Sequence, residues 1–505
     1  MLARMLRDLE EPHRPTVGRR HWRLQYAGLA ILGAIACIAL VAPLHRIGFF
    51  LEEPNEGWNA THTLHAFDGE LYPPPGSFII NNYPPLWFYL TGLLYRSFGD
   101  PIFPGRVVAL LAFAGTAMAI FALVRRLGAS LTASLASALS FVVAMAGLFD
   151  GWVGLAEPQM LAHALVTTGA AMLVGTRSRR TAAAAAVLMV LGGLTKQTVI
   201  ALPLASVVWT LAYRRDLGIA LLGSGLLTAA SAILALLAGY DGAFIFNVTF
   251  PRLLSMQHLA TNLASVSRAL VPIAAYAAIA WNLRRQSDDA LAFAGLSVAA
   301  GFVTILAFGS ALGVSGNISF DLLIAGSIAL GVIWGRLDKI ASADKAELLR
   351  LALAGAFAAR VALGMSFAQV ALAFDPADQR HSADMSAIIR SLHDRLAHVP
   401  GPLACETLSL CAWAGHPSAV DLWKFRHERT LSSPQDQRAL LTAIGRGDFA
   451  AVVFMGRFSG PQDDGNLPGL WNALAEGYTL PTCCGEAAII FPSKHLAAAQ
   501  LDLRP

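Results

Sequence analysis

Long apolar runs separated by short polar connections dominate the first three quarters of the chain. Runs long enough to cross a bilayer as helices lie at 26–48, 105–124, 129–149, 159–175, 217–238, 264–283, 290–309, 319–335 and 349–371. A further apolar block, 181–213, is too long for one span. Gly192, Gly193, Lys196 and Pro203 interrupt it, so the pattern predicts two short helices meeting at Thr195–Lys196–Gln197. The expected count is about 11 transmembrane helices. Beyond residue 374 the pattern changes. "GPLACETLSLCAWAGHPSAVDLWKF" reads as strand, helix and short strand, and "AIGRGDFAAVVFMG" as helix end, turn and buried strand.

The basic residues orient these spans. They cluster at Arg19–Arg20 with Arg23, Arg125–Arg126, Arg177–Arg179–Arg180, Arg214–Arg215, Arg284–Arg285, and Arg336 with Lys339. With 11 helices every cluster falls on one side, which the positive-inside rule makes cytoplasmic. The sequence therefore predicts a polytopic α-helical membrane protein in three parts. Residues 1–25 form a cytoplasmic N-terminal segment. Residues 26–374 form the transmembrane domain, with a large first outer loop at 49–104. Residues 375–505 form a small extracytoplasmic α/β domain.

Composition agrees with a membrane protein. The 505 residues are 55% hydrophobic and 14% charged, against about 25% charged in soluble domains. Mean hydropathy is +0.55. The net charge of +4 gives no reason to expect a nucleic-acid partner. The Arg-rich start and the lack of a small-x-small site after the first span read as a retained helix, not a removed signal peptide. Five cysteines in this length are no disulfide framework. Cys405 and Cys411 stand six apart and Cys483–Cys484 are adjacent; an oxidising periplasm would permit a structural disulfide. Zinc-type spacing is absent from the sequence.

Polar residues on the positive-poor side carry the candidate chemistry. They come from five places: Glu52, Glu53, Glu56 and Asp68; the stretch 81–101 with Asn82, Tyr83 and Arg96, followed by Arg106; Asp150, Glu157 and Gln159; Lys196 with Gln197; and Arg252, His258, Asn317 and Asp321. A base with nearby cations suits transfer from a phosphate-bearing donor: the base takes a proton from the acceptor and the cations neutralise the departing phosphate. Plainer readings compete. Glu52 and Glu53 fit a solvated loop equally well, Glu157 could simply open a helix, and Arg252 and His258 could be ordinary loop residues. Arg96 reads as snorkelling to the interface, and His163 as a packed histidine. Arg360 reads as held by a carboxylate or carbonyl, and Asp68 and Glu70 as ordinary loop residues.

The ordered set resembles a known family. "NEGWNA" (55–60), "NNYPPLWFYLTGLLYRSFGDPIFPGR" (81–106), the second acidic loop, the "TKQ" hairpin and the α/β tail look like the glycosyltransferase C superfamily. The similar branch uses polyprenyl-phosphate sugars and includes protein mannosyltransferases and aminoarabinose lipid A transferases. The resemblance covers about two thirds of the chain. It implies an integral-membrane glycosyltransferase of the bacterial inner membrane, with the N-terminus cytoplasmic and the C-terminal domain periplasmic. A sugar, hexose or pentose, would move with inversion from a polyprenyl-phosphate donor to a hydroxyl or phosphate on a lipid, glycan or protein acceptor. Glu56 matches the Glu of the family's Asp-Glu pair, and Asn55 stands where the Asp is usual. The base is then Glu56, or Glu52 or Glu53 in its place. Tyr83 stands where some relatives have Lys, which shifts phosphate binding toward Arg106, Lys196 and Arg252. Glu157 matches the second-loop acid. Some superfamily members use a divalent cation; with no Asp-x-Asp here, none is expected to be obligatory. The alternative is a transporter or flippase of a lipid-linked saccharide, which would show inverted repeats and polar groups at mid-depth. A nonenzymatic envelope protein would leave the five polar loops unexplained.

Overall fold

The computed structural model describes residues 18–50, 53–240, 242–283, 288–427, 434–455, 464–479 and 487–492. Glu52, Arg284, Arg285, Cys483 and Cys484 lie outside them.

α1 (Gly18–Arg46) is followed by two first-loop helices, α2 (Pro54–Leu64) and α3 (Leu86–Phe98). The bundle continues with α4 (Phe103–Arg126), α5 (Leu131–Leu148), α6 (Gln159–Val174), α7 (Arg179–Thr195), α8 (Ala201–Tyr213) and α9 (Arg215–Tyr240). Next come α10 (Ala243–Val248), α11 (Met256–Ala264), α12 (Leu270–Leu283), α13 (Asp289–Phe308), α14 (Phe320–Trp334) and α15 (Ala343–Ala362). Among the described residues, seven helices are long and apolar enough to cross a membrane: α1, α4, α5, α9, the α11–α12 stretch, α13 and α14 with its leading turn. The chain is a polytopic helical membrane protein.

The remaining expected spans are α6, α7, α8 and α15. α6 and α8 are apolar but short, at 16 and 13 residues. The block 181–213 breaks between Thr195 and Ala201. The run 349–371 is not one helix. α15 ends at Ala362, and Gly364 just beyond it lies against α5, where a Cβ would come within 2.4 Å of Leu148 Cδ2. Ser366 then opens α16 (Phe367–Phe374) with a capping box to Gln369. α14 is buried along its whole length between α5, α13 and α12.

The two ends of the bundle differ in charge. At one end Arg126 donates to the Ala171 carbonyl, Arg214 to those of Val174 and Thr176, and Arg336 pairs with Asp288. The polar loops gather at the other end.

After α17 (Pro376–Leu396) the chain forms a four-stranded sheet, order β2-β1-β3-β4. β1 (Leu403–Cys405) pairs in parallel with β2 (Val420–Asp421) and β3 (Ala451–Met455), and β3 pairs antiparallel with β4 (Ala487–Ile490). The helices are α18 (Leu408–Trp413), α19 (Leu422–His427), α20 (Pro434–Arg446) and α21 (Leu470–Gly477). A Cys405–Cys411 disulfide joins β1 to α18. This unit does not stand apart. α18 lies directly on α2, so closely that a Cβ on Gly57 would fall 2.1 Å from the Ser409 nitrogen. Leu408, Leu410 and Trp413 share one apolar core with Trp58, Trp87 and Phe88. The Asp421 N–H donates to the Phe78 carbonyl at 3.1 Å, adding the first loop to the sheet edge.

Candidate active site between the first loop, the bundle and the α/β unit

Pro54 presets the first helical φ of α2, and Glu53 caps it, accepting from the Glu56 N–H at 2.9 Å. The other Glu53 oxygen accepts from Asn55 Nδ2 at 3.1 Å. The turn that follows carries Glu56 inward. Arg106, in the first turn of α4, meets it with two parallel bonds: Nε to Oε1 at 2.8 Å and Nη2 to Oε2 at 2.5 Å. The Ala156 N–H also donates to Oε1, at 2.8 Å. Arg106 Nη1 reaches the carbonyls of Arg46, Ile47 and Phe49, at 3.1, 3.3 and 2.5 Å. Both side chains are buried. The pair thus ties together the end of α1, α2, the start of α4 and the loop before α6. Glu53 stays half-buried. Its burial, with the Glu56 charge, pushes its carboxyl up to about 7 against the hydrogen bonds from Glu56 and Asn55.

Two contiguous chambers lie beside this pair, sharing Asn55, Tyr83, Phe250, Arg252 and Gly313 as walls. The first, about 950 Å³ and open to solvent, is lined also by Gln159, Lys196 and Asn317. Lys196 reaches it because α7 stops at Thr195 and Lys196 itself is extended. Its ammonium pairs with Glu157 Oε1, both groups buried. Glu157 Oε2 accepts from the Gln159 N–H at 2.8 Å, and the Lys196 ammonium sits 4.6 Å above the Tyr83 ring. Burial raises the Tyr83 hydroxyl's pKa, with Lys196 opposing, so this phenol remains a donor. Arg252 faces both chambers. Its Nη1 lies 3.5 Å from the Leu312 carbonyl, and among the described residues no carboxylate comes within ion-pair distance.

The other predicted residues take supporting places. Gln159 binds His163 Nε2 at 2.8 Å and faces Asn317 Nδ2 at 3.4 Å. Asn82 lines the second chamber, its carbonyl accepting from Gln197 Nε2 at 2.7 Å. Asp150 lines neither chamber and pairs with Arg46 at the end of α1. His258 lines neither; its Nε2 meets the Val314 carbonyl at 2.5 Å, holding the loop that walls the cleft.

The second chamber brings residues that sequence reasoning missed: Trp58, Glu406, Asp421, Trp423 and Lys424. The Lys424 ammonium lies 4.3 Å over the Trp58 ring and 3.4 Å from Asp421 Oδ2. Glu406 pairs with Arg426. The visible mark in the sequence is "VDLWKF", where Trp423 stands between the opposite charges of Asp421 and Lys424. Glu157, Asp421 and Glu406 each pair with a cation, whereas Glu53 is held by Asn55 and the Glu56 N–H. One group of three metal-type side chains occurs among the described residues, His65, Asp68 and Glu70, largely exposed and lining neither chamber.

The fold is similar to that of solved structures of ArnT. A crystal structure of ArnT from Cupriavidus metallidurans bound to undecaprenyl phosphate superposes with a TM-score of 0.60 at 15% identity, over 91% of this chain and 97% of that one. Its apo form superposes at 0.61 and 16% identity, over 93% and 99%. The Archaeoglobus fulgidus oligosaccharyltransferase tethered to an acceptor peptide aligns at 0.44 and 12% identity, over 85% and 69%. No protein-family model matches the sequence, and no curated protein sequence does.

Proposed function

We propose that this protein is an integral-membrane glycosyltransferase that moves a sugar from a polyprenyl-phosphate donor to an acceptor hydroxyl or phosphate, with inversion, on the outer face of a bacterial inner membrane. The carrying observation is the cleft itself. It presents the Lys196 ammonium and the Arg252 guanidinium, which has no carboxylate partner among the described residues, to one chamber, in a fold shared with a structure that holds undecaprenyl phosphate. The cleft lies at the bundle end opposite the basic clusters, which supports an outer-face location with the N-terminus inside.

In this reading the acceptor oxygen attacks the sugar's anomeric carbon from the side opposite the phosphate. The bond from that carbon to the phosphate oxygen breaks with its electron pair going to the oxygen. Polyprenyl phosphate departs with one more negative charge than the donor carried, and Lys196 and Arg252 neutralise it. Tyr83 donates a hydrogen bond. An acceptor hydroxyl gives its proton to a carboxylate; an acceptor phosphate needs no base. Glu53 suits that role better than Glu56. Both oxygens of Glu56 are taken by Arg106, one of them also by Ala156. Glu53 is half-buried, carries a raised pKa and bonds to Asn55, which lines both chambers. Trp58, Trp423, Asp421 and Lys424 face the acceptor side.

The test compares envelope lipids and glycans of a strain lacking the gene with its parent by mass spectrometry. A hexose or pentose missing from one lipid or glycan supports transfer and names the acceptor. With purified protein, Lys196→Met and Arg252→Ala should raise KM for the lipid-linked donor about tenfold or more each. An unchanged envelope, with purified protein moving a lipid-linked saccharide across vesicles uncleaved, would instead make it a flippase.

A further inference from the structure

A second cationic pocket lies at the same end of the bundle, where α5 and α15 end against the turn Ser265–Ala269 that precedes α12. It is open, about 700 Å³, and lined by Leu148, Thr261, Ser265, Ser267, Arg268 and Arg360. Arg268 stacks over the Phe149 ring at 4.2 Å. Arg360 Nε donates to the Ser267 carbonyl at 3.3 Å. Among the described residues neither guanidinium has a carboxylate within ion-pair distance, and the charge that bears on Arg268 is that of Arg360. Two like charges facing one pocket in a membrane protein are unfavourable without an anion between them. Glycines leave both of them room. A Cβ on Gly316 would stand 3.4 Å from Arg268 Nη1, and one on Gly364 would stand 3.0 Å from Arg360 Nη1.

The surroundings indicate where the anion comes from. Leu363 and Phe367, flanking Gly364 in the chain, are each 87% exposed. Large exposed apolar side chains next to paired arginines fit acyl chains beside a headgroup, not a freely diffusing ion. We propose that Arg268 and Arg360 form a binding site for the phosphate of an anionic membrane phospholipid, separate from the transfer cleft. The site stands on its own geometry and does not depend on the transfer reaction.

The experiment is native mass spectrometry of the full-length protein released from detergent, titrated with phosphatidylglycerol or with phosphatidylcholine. Wild type should retain one more phosphatidylglycerol than Arg268→Gln/Arg360→Gln, whose affinity should fall at least about tenfold, the effect of one lost charge-assisted contact. Arg268→Lys/Arg360→Lys should keep the adduct, which separates charge from folding. Arg96→Gln, at an arginine stacked on Phe67 away from this pocket, should bind as wild type does. Equal retention by wild type and the double Gln variant, or no preference for phosphatidylglycerol over phosphatidylcholine, would overturn the proposal. So would displacement of the lipid by millimolar inorganic phosphate, which would assign the pocket to a free anion.

Discussion

Glu56→Gln separates two roles that a carboxylate in this loop could play. The substitution keeps the side chain's shape and one acceptor oxygen, and removes the charge opposite Arg106. Arg106 is 4% exposed. It would keep its contacts to the carbonyls of Arg46, Ile47 and Phe49, but as a buried cation without a counter-ion. Removing one partner of a buried pair costs about 3–5 kcal/mol, and the three carbonyls place this case toward the lower end. The unfolding midpoint in detergent should fall by roughly 3–4 °C. Transfer at low temperature, where the protein is folded, should be reduced only as far as α2 loosens. Glu56→Gln/Arg106→Met removes both charges together. It should be less damaging than the sum of the single changes, with a coupling of about 1–3 kcal/mol. The assay is thermal unfolding followed by tryptophan fluorescence, paired with single-turnover transfer. A Glu56→Gln protein that melts like wild type yet transfers nothing would refute the reasoning and make Glu56 the reacting carboxylate.

Three further outcomes follow from the same geometry. Burial pushes the Glu53 carboxyl up to about 7, from an ordinary value near 4.5, so its basic form accumulates as pH rises through neutrality. With a hydroxyl acceptor, transfer should climb to a plateau above about pH 7 and Glu53→Gln should abolish both rate and inflection; an inflection that survives the substitution counts against Glu53. The same shift makes the folded state hold that proton more tightly, a stabilising contribution present below 4.5 and lost as pH rises through 7. Gly57→Ala places a Cβ against the Ser409 backbone at 2.1 Å, which neither helix can relieve by a rotamer change. It should cost about 1–3 kcal/mol and expose the α/β unit to limited proteolysis, and a wild-type digestion pattern would contradict the close packing. Cys405→Ser with Cys411→Ser opens a short loop, worth about 2 kcal/mol in chain entropy. The same loss should appear on reduction of the wild type, read as a lower unfolding midpoint of the unit.

Hydrophobic run length made most of the bundle legible, because a span needs a continuous apolar stretch whatever it packs against. It also located the α7–α8 break, since two glycines, a lysine and a proline in one apolar block leave no other arrangement. The same rule misjudged 349–371, where a glycine packed on Leu148 and a serine cap end one helix and start another within a single apolar run. Local pattern carried no signal for partners distant in the chain. Nothing around Glu56 announces Arg106, fifty residues away, and nothing around Lys196 announces Glu157. What sequence alone read as a loose collection of acids and cations at one face is, in three dimensions, two kinds of group. Glu56–Arg106 and Glu157–Lys196 are neutralised pairs that fix the walls, whereas Arg252 has no carboxylate partner among the described residues. That difference bears on the chemistry. A cation already paired contributes a fixed field, but an unpaired one gains a counter-ion only when an anion arrives. On the proposed reaction, the largest change in Arg252's interactions therefore comes as the donor phosphate takes up its second charge. The walls built from both bundle and α/β unit then divide the work. In the proposed reaction Lys196, Arg252 and Tyr83 meet the phosphate that departs. Trp423, Asp421 and Lys424 come from the part of the chain that can vary without disturbing a membrane span, so under the proposed reaction this is where acceptor choice would change while donor chemistry stays fixed.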